Sequence, residues 1–283
     1  MAALLALMSS ATWGTADFFG GTLSCRAKSL AVVGGSQTLS LLAVVPLVLL
    51  LHAYRDPTGY LPWAIAAGLL GMASLVAFYA ALAKGTMGVV APIAATGVVV
   101  PVAIGLFHGD RPKVLQLFGI GLAILGVVLA SGPEVRDVEQ HSGRGGVRVL
   151  VLAGCSAVGF GLVLWLVSGG SHYSVGMTLL FQRVTSATLA LVALAVARDV
   201  GGLTRRDVPL LAAVGFGDVL ANGFFALSTR SGLLSVVAVL GSLYPVGTVL
   251  LARFVHGERM RPVQNVGVIA ALGGVVLIAG GGL

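Results

Sequence analysis

The feature that most constrains this chain is a succession of apolar runs that reach or exceed 18 residues, separated by short polar joints. As helices rising about 1.5 Å per residue, such runs match the roughly 30 Å hydrocarbon core of a bilayer. The alternating segments of about 10 residues that mark a transmembrane β-barrel are absent from the sequence. In lipid each run must satisfy its own backbone hydrogen bonds, so each is expected to be helical. Only 10% of the 283 residues are charged, against about 25% in an ordinary soluble domain. The expected fold class is therefore an all-α polytopic membrane protein.

Ten spans are expected, at 2–24, 30–51, 62–83, 87–107, 114–131, 147–168, 175–197, 208–228, 233–255 and 263–281. The joints carry helix breakers, among them Asp56-Pro57, Asp110-Arg111-Pro112, Gly201-Gly202 and Arg261-Pro262. The first run has no basic leader and contains Asp17, so it reads as a permanent helix rather than a cleaved signal.

The spans form an internal repeat. Gly88, Gly97 and Pro101 recur 144 positions later as Gly232, Gly241 and Pro245. The polar hinge His108-Gly109-Asp110-Arg111 recurs 148 positions later as His256-Gly257-Glu258-Arg259. At that offset Gln116, Gly119 and Gly126 also return, as Gln264, Gly267 and Gly274. Fainter echoes pair Ser10-Ala11 with Ser156-Ala157 and Gln37 with Gln182. Self-similarity of this kind marks repeated structural units. The boundaries follow: a first five-span copy at 1–131, a polar linker at 132–146 and a second copy at 147–283. Five is odd, so the second copy enters the membrane from the opposite face and both termini lie on one side. Inverted repeats are typical of secondary transporters, whose sites lie near the midplane where the copies meet.

The Trp13-Gly14 pair, the proline-bearing fourth and ninth spans (Pro101, Pro245) and the HGDR and HGER hinges that close them resemble the EamA branch of the drug/metabolite transporter superfamily. The five-plus-five plan does so too, over essentially the whole chain. The resemblance implies a central cavity lined by helices 1, 3, 4, 6, 8 and 9, with helices 5 and 10 packed outside. It further implies export or exchange of small metabolites, amino acids or drugs across the plasma membrane, with cytoplasmic termini. Asp17 and Asp218 depart from the commoner pattern of that family.

The net charge of +7 is spread singly over the joints, which suits contact with lipid headgroups and not nucleic acid. It also opposes the orientation that the resemblance implies. With cytoplasmic termini, four joint residues (Arg55, Arg111, Lys113, Arg230) lie inside against eleven outside, whereas cytoplasmic loops normally carry the basic excess.

Ionisable groups within a span are costly and each requires a role. Asp218 lies ten residues from either end of its span, about 15 Å deep, with Asn222 on the same face at i+4. It reads as a proton or substrate-cation site, weighed against an acid that only locks helices together. Asp17 shares a face with Trp13, and a ring beside a carboxylate suits an amine or quaternary cation; the alternative is an interfacial acid with a belt tryptophan. Arg183, next to Gln182, is suited to clamping a carboxylate or to pairing with Asp218 or Asp17. Tyr79 and Tyr244 lie in helices that the resemblance assigns to the cavity.

Cys25 and Cys155 stand at no metal-ligand spacing and read as packing residues. The sequence holds no HExxH, no nucleotide-binding glycine loop and no Ser/His/Asp set within one joint. No enzyme, cofactor or metal site is therefore expected, and any pumping draws on a gradient. The expected partners are a small-molecule substrate, protons and membrane lipids. The mechanism expected from these residues is alternating access, with Asp218 exchanging protons and Asp17 holding the substrate. Two alternatives stand beside it: a facilitative exchanger without proton coupling, and a non-transporting assembly subunit.

Overall fold

The computed structural model describes residues 1–50, 52–85, 90, 93–130, 144–197, 201–244, 246–247, 251 and 262–281. Among the described residues the chain is helical and contains no strand. The first copy comprises α1 (Ala2–Ser24), α2 (Ser29–Leu50), α3 (Leu61–Leu82), α4 (Val99–Phe107) and α5 (Val114–Ala130). The second comprises α6 (Arg144–Ser171), α7 (Val175–Ala197), α8 (Val208–Thr229), α9 (Leu234–Gly241) and α10 (Pro262–Gly281). Pro62 and Pro209 stand in the first turns of α3 and α8, where a missing N–H costs nothing and the fixed φ favours the helix.

Five segments are long and apolar enough to cross a membrane: Ser29–Leu50, Thr58–Leu82, Val147–Ser171, Val175–Val196 and Arg205–Thr229. Large apolar side chains cover the outside, including Leu50, Phe107, Phe118, Val196, Ile269 and Val276. Exposed apolar area on that scale marks a surface made for lipid rather than water. This is a multi-pass integral membrane fold.

The copies pack reciprocally. α3 lies on α6 and α7, while its counterpart α8 lies on α1 and α2. The self-paired contacts α2 with α7, α4 with α9 and α5 with α10 complete the pseudo-two-fold pattern. The α5–α10 seam shows it at atomic scale. A Cβ added at Gly126 would lie 2.8 Å from the Gly267 carbonyl oxygen, and one added at Gly274 would lie 2.7 Å from that of Gly119. These four glycines are the repeat's own offset pairs, and only their lack of a side chain lets the backbones approach so closely.

Both termini lie at one end. Ser228 Oγ donates to the Ala2 carbonyl at 2.7 Å, and Gly281 at the end of α10 abuts Gln116 at the start of α5. At this end the first hinge ties the copies together: Ser235 N–H of α9 donates to Asp110 Oδ2 at 2.8 Å. Gly109 takes φ +106°, a conformation open to glycine, and so turns the chain to aim Asp110. At the opposite end Arg26 donates to Asp207 Oδ1 at 2.5 Å, again between copies.

Two spans differ from expectation. The fourth, expected as one helix over 87–107, contains a 3-10 turn at Thr96–Val98 before α4. The ninth, expected over 233–255, leaves α9 at Gly241 and turns at 242–243. At the offset of 144 the first break maps onto 240–242 and overlaps the second at Ser242, and in the fourth span the physical cause is proline. Pro101 supplies no N–H to the Gly97 carbonyl and its ring crowds that oxygen; in the sequence Pro245 likewise follows Gly241 by four residues. The sixth helix begins at Arg144, ahead of the expected 147. Residues 87–89, linker positions 132–143, Pro245 and the His256–Arg259 hinge lie outside the described residues.

Candidate functional site

A central cavity opens between the copies, the kind of concave site in which small molecules bind. Its walls come from the middles of the helices. α1 contributes Trp13 and Asp17, α6 Phe160 and Gly161, and α8 Asp218 and Asn222. Both helix breaks border it through Gly97, Val98, Gly241 and Ser242. Interrupted helices beside a midplane cavity are the arrangement by which transporters expose polar backbone to a solute.

The polar floor of the cavity is a single network around Asp218. Trp13 Nε1 donates to Oδ1 at 3.0 Å and Asn222 Nδ2 donates to it at 2.9 Å. Gln37 Nε2 donates to Oδ2 at 3.0 Å and Arg183 Nη1 donates to it at 2.6 Å. An ionised carboxylate offers about four acceptor sites, and all four are filled. Arg183 Nη1 also donates to Gln37 Oε1 at 2.6 Å, which accepts a further bond from Ser186 Oγ at 3.0 Å. Arg183 itself is 3% exposed. A guanidinium buried that deeply requires a countercharge, and Asp218 supplies it.

Asp17 differs in kind. It lines the same cavity yet shares no hydrogen bond or ion pair with any described residue. Among the described residues, the charges on the cavity wall are thus two acids and one base, with the base paired to one acid. Of the other residues singled out in the sequence, Gln182 and Tyr244 line the cavity. Tyr79 is buried against Gly20 on α1 and lies behind the wall. Trp13 turns its indole N–H to Asp218 and tilts against Phe225, ring centroids 5.9 Å apart. Cys25 and Cys155 are exposed free thiols.

Two features escaped the sequence reading. The resemblance assigned the cavity to helices 1, 3, 4, 6, 8 and 9, but α2 and α7 line it too, through Gln37, Gln182, Arg183 and Ser186. Gln37, which bridges Arg183 and Asp218, was visible only as the repeat partner of Gln182. A polar pair kept at matching positions of two apolar spans was the signal that could have found it. Among the described residues, helices 5 and 10 contribute nothing to the wall.

Among solved structures, one protein crystal structure is similar to this chain with a TM-score of 0.79 at 16% identity, over 98% of this chain and 95% of that one. At that identity the likeness speaks to the fold. No curated protein sequence matches the chain. The model of the EamA-like transporter family matches twice, over residues 1–132 and 147–280. A family model that takes in both five-helix copies, on a fold with a midplane cavity between them, leaves one assignment: the chain belongs to the EamA-like transporter family.

Proposed function

We propose that this protein is a secondary transporter that exchanges small organic monocations for protons across the plasma membrane by alternating access. The observation that carries the reading is the saturation of Asp218. With four donors on its two oxygens and Arg183 as countercharge, Asp218 has no acceptor site left for a proton or a second cation. The exchanging carboxylate is therefore Asp17, which reverses the division of roles suggested by the sequence. A lone acid in an apolar wall is held ionised only at high cost, so it takes up a proton or a solute cation. One negative charge accepts one or the other, and that competition couples the two fluxes without further machinery.

The absence of a nucleotide-binding motif in the sequence supports a gradient as the energy source. The reading keeps both termini in the cytoplasm, against the basic excess in the opposite joints; terminal reporter fusions test this, and reporters active only outside would reverse it. The function itself is tested in liposomes with a labelled tetraalkylammonium probe and an imposed pH gradient. An acidic interior is expected to drive probe accumulation as protons leave, and Asp17→Asn is expected to abolish it. Probe flux indifferent to the gradient would favour a facilitative exchanger, and no flux at all a non-transporting subunit.

A further inference from the structure

The two glutamines that the repeat pairs have opposite fates. Gln37 has both ends of its amide in use, bound to Asp218, Arg183 and Ser186. Its partner Gln182 faces the same cavity, is only 4% exposed, and its buried Oε1 finds no hydrogen-bond partner among the described residues. The register explains why. Counting from Gln37 and Gln182, Thr38 takes the place of Arg183 and Leu41 that of Ser186; Thr38 spends its hydroxyl on the Gly34 carbonyl. Counting from Pro62 and Pro209, Gly71 takes the place of Asp218. The geometry agrees: a Cβ at Gly71 would lie 3.8 Å from Gln182 Nε2, on the counterpart of the helix face that carries Asp218.

Each partner that satisfies Gln37 is thus missing around Gln182, and the largest is replaced by the space beside a glycine. A buried amide oxygen left unpaired is destabilising, so its place on a cavity wall calls for an outside partner. We propose that the Gln182–Gly71 pocket is a solute subsite, holding a neutral group that both donates and accepts hydrogen bonds. A hydroxyl or a carboxamide has that chemistry. The neutral group would stand where the two-fold of the fold puts a carboxylate in the other copy. In either orientation the glutamine amide offers one donor and one acceptor, so it selects for such a group over an alkyl arm or a second charge. This inference rests on the proposed monocation reading and specifies the rest of the solute: a cation with one neutral polar arm.

The test uses trimethylammonium cations bearing an ethyl, 2-hydroxyethyl, 3-hydroxypropyl or 2-carbamoylethyl arm, in liposomes containing the full chain. The best polar-armed cation is expected to be carried about tenfold more efficiently than the ethyl one, the discrimination given by one well-placed hydrogen bond. Gln182→Met and, independently, Gly71→Ala are expected to bring that ratio close to one. Gly71→Ala is the safer variant, since its methyl meets Gln182 Nε2 and Val163 Cγ2 at 3.8 Å, an ordinary contact. A parent with no preference for a polar arm, or a preference that persists in both variants, overturns the subsite. If Asp17→Asn still carries the ethyl cation, the monocation reading fails while the arm ratio still judges the subsite. A parent that carries none of the four overturns both.

Discussion

The α5–α10 seam and the cavity wall are built from the same repeat and treat it in opposite ways. At the seam the copies meet as equals: Gly119, Gly126, Gly267 and Gly274 fit one another reciprocally, each small for the same reason. At the cavity the symmetry is broken wherever charge is involved. Asp218 faces Gly71 across the pseudo-two-fold and Arg183 faces Thr38, while Asp17, in the first copy, has no hydrogen-bond or ion-pair partner among the described residues. Symmetry serves packing here. Its violation falls on the residues proposed here to handle solute.

The comparison is broken most directly at the seam. Gly126→Leu and Gly274→Leu would each drive a side chain into opposing backbone, since an added Cβ already falls at 2.2 and 2.6 Å from backbone nitrogen. Each is expected to cost about 3 kcal/mol or more, as overpacking against an unyielding partner does. Thermal unfolding in detergent checks this, and because the sites are symmetry mates the two losses should agree. A large loss at one site and none at the other would show that the seam is not symmetric in energy.

The next effect concerns the odd acid. Asp17→Asn is expected to leave the unfolding midpoint near that of the parent, because no described residue depends on its charge, while gradient-driven cation flux disappears. A variant that unfolds early and still transports would make Asp17 a structural residue.

The third prediction concerns the pair. Arg183→Gln and Asp218→Asn should each destabilise by roughly 3–5 kcal/mol, the usual result of leaving one buried charge unpaired. The double variant should recover most of that loss, and cation flux with it, because the cavity again carries one negative charge. Flux lost in the double variant despite restored stability would place Asp218 in solute binding after all. The smallest effect is expected at the hinge. In Gly105→Ala the added methyl meets Asp110 Oδ2 at 2.5 Å and Ser235 N at 3.1 Å, which should loosen one helix-capping bond and cost about 1 kcal/mol. Transport rate should change more than fold stability, read as flux against unfolding midpoint.

The fold was legible in the sequence for a plain reason: lipid admits few backbone solutions, so long apolar runs and a repeat already dictate ten helices in two inverted copies. What was not legible was which acid is spoken for. Asp218 and Asp17 both read as buried carboxylates with an aromatic or amide on the same helical face. Their difference lies in residues far away in sequence, Gln37 and Arg183, which meet Asp218 only when α2, α7 and α8 converge. Helical periodicity reports a residue's own helix and is silent about neighbouring ones. The interruptions in the fourth and ninth spans are within reach of the sequence, since Pro101 and Pro245 each remove a backbone donor from an otherwise apolar helical run.

Those interruptions bear on how stiffly the molecule resists deformation. An unbroken helix behaves as a rod, and tilting one end drags the other along. A rod with a single weak turn near its middle bends there first, so the portion between the turn and one membrane face can swing while the remainder stays packed. α4 and α9 lie against each other, and each has its weak turn level with the cavity. Under the proposed alternating access, the elastic work of opening a mouth would fall on the segments beyond these turns, and the helical frame around them need not move as a whole.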